Sequence, residues 1–78
     1  MKNILIWGTG NYAINFMRFF DYSNCRIEAF VDNDVNKWGK QYKGIEILKP
    51  KDVKDMEYDC LFICSIYARE IKLQCIKL

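Results

Sequence analysis

The 78-residue sequence is long enough for one domain and lies near the lower limit for a self-sufficient core. Hydrophobic residues make up 51% of it and charged residues 28%, a balance that excludes a disordered chain. Twelve basic and ten acidic residues, mixed along the sequence, leave a net charge of +2, so no strong field directs the chain to nucleic acid or to lipid.

The first predicted element is a strand over Asn3 to Trp7, where Ile4-Leu5-Ile6-Trp7 is the continuous apolar run of a strand covered on both faces, as in parallel sheets. A glycine-rich turn follows at Gly8-Thr9-Gly10-Asn11-Tyr12-Ala13. The pattern then switches to helical spacing over Tyr12 to Phe20, with Ala13, Phe16, Met17 and Phe20 forming one stripe. Asp21-Tyr22-Ser23-Asn24 is a polar break that ends the helix.

Arg26 to Asp32 reads as the second strand, with Ile27, Ala29 and Val31 on one face and Glu28 and Phe30 on the other. Asn33 to Gly44 is polar and turn-rich. Ile45-Glu46-Ile47-Leu48 is a short third strand, and Pro50 opens a short charged helix at Lys51 to Met56. Cys60 to Ser65 is the fourth strand. Tyr67 to Leu78 is a closing helix with Ala68, Ile71, Cys75 and Leu78 on its apolar side. Strands alternating with helices predict an α/β fold of three layers, with a mostly parallel sheet of about four strands in the order 3-2-1-4.

No apolar run approaches the roughly 18 residues of a membrane span, and the longest, Cys60 to Ile66, is strand-sized. The N-terminus has one lysine and only about five apolar residues before the glycines, unlike a signal peptide, so a cytoplasmic location is expected. Cysteine usage agrees with it. Histidine is absent, and Cys60 and Cys64 fall inside an apolar strand, so all four cysteines are expected to be reduced thiols without metal.

The glycine turn carries the chemistry. At Gly8 a tight strand-to-helix turn requires a backbone conformation that a Cβ hinders, and at Gly10 the missing side chain lets a phosphate oxygen approach the peptide. The helix starting near Asn11 aims its unpaired N–H groups and positive dipole end at such an anion. Ala13 is the third small residue, for close packing of helix on strand, and Thr9 and Asn11 offer side-chain hydrogen bonds. Asp32 lies 22 residues beyond Gly10 at the end of the second strand. There a carboxylate suits a ribose diol and repels a 2′-phosphate, which for a dinucleotide ligand favours NAD over NADP; the same residue also suits the capping of a turn. Ser65 follows the fourth strand on the same sheet edge, either to bond the ligand or to cap the last helix.

Other features carry less. Asp32-Asn33-Asp34-Val35-Asn36 opens like a calcium loop, but Lys37 stands at the required glycine and Lys43 at the required glutamate. Tyr67 lacks the lysine of a Tyr-x-x-x-Lys pair, since residue 71 is Ile. Trp38 suits either stacking on a base or folding back over an incomplete core, and the lysines from Lys37 to Lys54 read as a solvated surface. No catalytic residue is nominated.

Taken together, Ile4-Leu5-Ile6-Trp7-Gly8-Thr9-Gly10, Ala29-Phe30-Val31-Asp32-Asn33-Asp34, Lys37-Trp38-Gly39-Lys40, Gly44-Ile45-Glu46-Ile47 and Tyr58-Asp59 before Cys60-Leu61-Phe62-Ile63 resemble a known group. They are similar to the N-terminal Rossmann-like domains of bacterial polysaccharide and sugar-nucleotide biosynthesis proteins, including nucleotide-sugar epimerase/dehydratases and sugar acyltransferases. In the acyltransferases that domain holds a nucleotide-sugar. The resemblance therefore implies a ligand such as a UDP-sugar, with Gly8 and Gly10 at its phosphates and Asp32 with Asn33 at its ribose or base. The second residue of the family's acidic pair is Asn33 here. The candidate binding residues are thus Gly8, Thr9, Gly10, Asn11, Tyr12, Asp32, Asn33 and Ser65. The expected context is residues 1–78 as one nucleotide-binding domain, either joined to the remainder of a longer chain or paired in a homodimer. The alternatives are an NAD-binding half-domain of an oxidoreductase or epimerase, and an interaction domain without a ligand.

Overall fold

The computed structural model describes residues 1–20 and 23–77. Five strands form one sheet: β1 (Lys2–Trp7), β2 (Cys25–Val31), β3 (Gln41–Tyr42), β4 (Ile45–Leu48) and β5 (Cys60–Ile63). Two α-helices accompany them, α1 (Asn11–Phe19) and α2 (Ala68–Ile76). The strand order is β3-β4-β2-β1-β5. β1 lies between β2 and β5 and pairs with both in parallel, and β4 pairs in parallel with β2.

Count and order differ from the expected four strands by the added edge strand β3, antiparallel to β4 with Tyr42 opposite Ile45. The reason is a two-residue hairpin turn. Lys43 (φ 53°) and Gly44 (φ 79°) both occupy the left-handed region, the conformation of a type I′ turn. Lysine at the first central position is an unusual choice where Asn or Asp is preferred, so the turn reads as plain loop. Tyr42 in turn places its ring edge-on against Phe30, 4.9 Å between centroids at 87°.

The two faces of the sheet build separate half-cores. Ile4, Ile6, Phe30, Ile47 and Cys64 pack with Ala13 of α1, flanked by Phe16, Met17, Phe20 and Phe62. Phe16 and Phe20 stack at 4.8 Å, and both rings reach Phe62 of β5 within 5.0 to 5.3 Å. On the opposite face, Leu5, Trp7, Ala29 and Val31 pack with Val53 and with Ile71 of α2. β1 is therefore buried on both sides, as a central parallel strand should be, each large side chain contributing about 1.5–3 kcal/mol. The expected stripe on α1 faces the first half-core, and Ile71 and Cys75 of the stripe expected on α2 face the second. Asp21, Tyr22 and Leu78 lie outside the described residues.

One expected face assignment is wrong. The β1–β2 register runs Ile4 to Ile27 and then Leu5 to Ala29, so Glu28 is an extra residue on β2. Such a bulge breaks the period of two. Ile27 consequently packs on the α1 side with Phe30, and not beside Ala29 and Val31. The short helix expected at Lys51 to Met56 is a 3-10 helix, Pro50–Asp55, with Pro50 and Val53 buried. Six residues with proline at the start make too few bonds to sustain an α-helix, and the tighter turn satisfies them locally.

β5 is fastened to β1 at both ends. The Asp59 carboxylate accepts from the Asn3 amide at 2.7 Å while the Asp59 amide donates to the Asn3 carbonyl at 2.8 Å. At the other end the Cys64 amide donates to the Trp7 carbonyl at 2.8 Å, while the Gly8 amide ties the end of β1 to β2 through the Val31 carbonyl at 2.7 Å. Gly8 itself has φ 126°, and a Cβ there would overlap the Cys64 carbonyl oxygen and stand 3.1 Å from its carbon. At Gly10 a Cβ would meet nothing within 4 Å. Gly8→Ala should therefore lose roughly 2–5 kcal/mol in urea unfolding, from backbone strain and overpacking together. Gly10→Ala, at a helix N-cap in open space, should lose about 1 kcal/mol or less.

The Cys64 side chain belongs to the α1-side core, and burial pushes its thiol above the ordinary value of 9.0. The folded state thus holds this proton more tightly than the unfolded chain. Its contribution to stability is complete below the unfolded value and falls as pH climbs from 9.0 through the raised value. Unfolding midpoints measured across that range should fall less steeply for Cys64→Ala than for the unaltered chain.

Candidate functional site

The carboxyl ends of β1, β2 and β5 meet at one edge of the sheet, where ligands sit in open parallel sheets. A crevice of about 380 Å³ opens there. Seven of the eight residues expected from the sequence line it: Gly8, Thr9, Gly10, Asn11, Tyr12, Asp32 and Ser65. Asn33 lies outside it, in an adjoining hollow of about 360 Å³ that shares Gly8, Asp32 and Ser65 with the crevice and extends toward Ile71 of α2. The Asn33 Oδ1 accepts from the Gln74 amide group at 3.1 Å, which ties the loop after β2 to α2.

The glycine turn leaves donors free. α1 starts at Asn11, and its first internal bond runs from the Ile14 amide to the Gly10 carbonyl at 3.1 Å. Among the described residues, the amides of Gly10, Asn11 and Tyr12 donate to no protein acceptor, as the first turn of a helix requires, and the Thr9 amide just ahead of the N-cap is likewise without one. Gly10, the N-cap, supplies no side-chain cap and no acidic residue occupies the first turn. The positive end of α1 therefore faces the crevice with its hydrogen-bonding capacity unspent. The Gly8 amide, by contrast, is spent on the Val31 carbonyl.

Asp32 is held from several directions. Its Oδ2 accepts from the Thr9 hydroxyl at 2.8 Å and lies 3.8 Å from the Lys37 ammonium. Its Oδ1 accepts from the Asp34 amide at 2.9 Å, an Asx turn of the kind the capping alternative describes. The Asp32 backbone carbonyl accepts from the Trp38 indole at 2.6 Å. A carboxylate offers about four acceptor positions, so the group keeps capacity for a ligand donor while serving the turn. Ser65 likewise serves its own turn: its Oγ accepts from the Tyr67 amide at 3.0 Å, just ahead of α2.

Lys37 is the residue the sequence reading misses. Expected as part of a solvated surface, it donates from Nζ to the Thr9 hydroxyl at 2.9 Å and pairs with Asp32. Its position follows from a 3-10 turn, Val35–Lys37, in which Asp34 accepts from the Asn36 amide at 3.0 Å through its side chain and from the Lys37 amide at 3.0 Å through its carbonyl. The run Asp34-Val35-Asn36 carries that capping signal, but nothing local reveals that the turn aims Lys37 at Thr9. Trp38 is exposed, and with Lys49, Pro50, Lys51, Asn33 and Gln74 it lines a third hollow of about 420 Å³.

Among the described residues no helix is long and apolar enough to cross a membrane. In comparisons with known proteins, no curated protein sequence matches the chain. Among solved structures, UDP-D-quinovosamine 4-dehydrogenase from Vibrio fischeri is similar, with a TM-score of 0.70 at 22% identity over 97% of this chain and 70% of that one. At that identity the likeness concerns the fold: a small α/β domain with a five-stranded, mostly parallel sheet. The C2185-like N-terminal family matches residues 1–78, the whole length, and the chain belongs to that family.

Proposed function

We propose that this chain is a nucleotide-binding module whose ligand is a nucleotide-sugar, serving a protein of sugar-nucleotide or polysaccharide biosynthesis. The observation that carries the reading is the set of unpaired amides at Thr9, Gly10, Asn11 and Tyr12, facing an open crevice that Asp32 also lines. A diphosphate is the ligand group that matches several convergent N–H donors at a helix start. The Asp32 carboxylate, with acceptor capacity left, lies within the same crevice and suits a ribose hydroxyl. The similar fold of a UDP-sugar dehydrogenase lends support to a uridine nucleotide as the ligand class. In this reading Gly8 shapes the turn, Gly10 admits the phosphate, and Thr9 steers Asp32. The reacting groups of the parent protein lie outside this module.

Thermal-shift titration with UDP, a UDP-sugar, NAD and coenzyme A tests the proposal. A uridine ligand at a hundred times its Kd should stabilise the fold by about 2.7 kcal/mol. Stabilisation by NAD alone would redirect the reading to a dinucleotide half-domain, and silence toward all four would favour an interaction domain. Gly10→Val should abolish UDP binding at a stability cost of about 1 kcal/mol, that of a poor N-cap, because a Cβ there meets nothing within 4 Å and the fold itself tolerates it. Unaltered UDP affinity in that variant would remove the glycine turn from the site. Asp32→Ala should weaken UDP binding by roughly 1.5–3 kcal/mol, the loss of a charge-assisted hydrogen bond, measured by calorimetry.

A further inference from the structure

We infer that Lys37 is the phosphate-pairing cation of this crevice and that it makes the module selective for nucleoside diphosphates over uncharged nucleosides. The inference rests on the nucleotide reading above and deepens it by naming the charge that the ligand must carry.

The electrostatics of the crevice require such a group. Among the described residues lining it, none is a lysine or arginine, and the one ionised side chain is the Asp32 carboxylate. A diphosphate approaching the free amides of α1 would meet that negative charge with backbone dipoles alone to offset it. Lys37, which is not among the lining residues, supplies the missing cation through its contacts with two that are, Thr9 and Asp32. Its Nζ lies 2.9 Å from the Thr9 hydroxyl, on the residue between the two glycines of the turn.

The hydrogen bonding around Lys37 leaves it free to serve a ligand. An ammonium has three donors; here one goes to Thr9, and the approach to Asp32 is a long 3.8 Å. Its side chain is 41% exposed, so a donor remains available on the solvent side. Asp32 does not depend on it, because the Thr9 hydroxyl and the Asp34 amide still bond the carboxylate when the ammonium turns away. The backbone of Lys37 is anchored by the capped 3-10 turn, while its four-carbon stem is flexible. The residue can therefore exchange part of its contact with Asp32 for a phosphate oxygen without any change in the loop. A lysine that only braced the loop would affect charged and uncharged ligands alike.

The test is calorimetric titration of UDP and of uridine into the 78-residue chain and its Lys37→Met and Lys37→Arg variants, at low and high salt, with urea midpoints to verify folding. Lys37→Met should lose about tenfold or more in UDP affinity, while uridine changes by no more than about twofold. Lys37→Arg should keep most of the UDP affinity, and the salt dependence of UDP binding should be shallower in Lys37→Met. Equal losses for UDP and uridine, or UDP binding unchanged or tighter in Lys37→Met, would overturn the inference while leaving the nucleotide reading intact. Failure of the unaltered chain to bind either compound would overturn both.

Discussion

Everything at the candidate site depends on how closely β1 and β5 approach one another where β1 ends. The Cys64 amide bonds the Trp7 carbonyl, and the Cys64 carbonyl then occupies the space where any side chain at position 8 would stand. Only a residue without a Cβ, and at ease at φ 126°, lets the chain leave β1, turn and enter α1 within three residues. That single close contact sets the direction of α1, and with it the direction of the free amides. It also places Thr9 within reach of Asp32 at the end of the neighbouring strand. The two glycines of the turn thus have different duties. Gly8 is needed by the fold, whereas the hollow beside Gly10 serves no packing purpose.

The division of labour in β1 explains why so short a chain sustains a three-layer architecture. Ile4 and Ile6 face α1, while Leu5 and Trp7 face α2 and the Pro50–Asp55 turn, so one strand seeds both half-cores. The aromatic cluster of Phe16, Phe20 and Phe62 then covers the α1 side as far as β5, at the border of the sheet. On the opposite face the buried cover from outside the sheet comes from Ile71 and Val53. Trp7 fills this face, and its indole nitrogen has no partner among the described residues. An unsatisfied buried donor costs about 1–3 kcal/mol, and the apolar burial of the large ring offsets it.

Much of this was legible in the sequence because the strongest signals are periodic and local. The apolar run before Gly8, the stripe from Ala13 to Phe20 and the run from Cys60 each allow one reading. The glycine turn and Asp32 fall at the same sheet edge because parallel strands must end together there. The misreadings share a different cause: each depends on a backbone irregularity. The bulge at Glu28 reverses the face of Ile27, and the turn at Lys43-Gly44 adds β3. Likewise, a capped turn beginning at Asp34 carries Lys37 back to the glycine loop, across 28 residues of sequence, to Thr9. A charged residue in a polar segment gives no sign of such a long-range partner.

Two tryptophans stand on either side of Asp32 in contrasting surroundings. The ring of Trp7 is sealed in the half-core beneath the hollow that Asp32 and Asn33 share. The ring of Trp38 remains 36% exposed and bonds the Asp32 carbonyl. The first should emit at shorter wavelength than the second, and an occupant near Asp32 would disturb the two bands unequally. If a nucleotide binds there as proposed, the molecule carries its own optical gauge of that binding, with no dye or label attached.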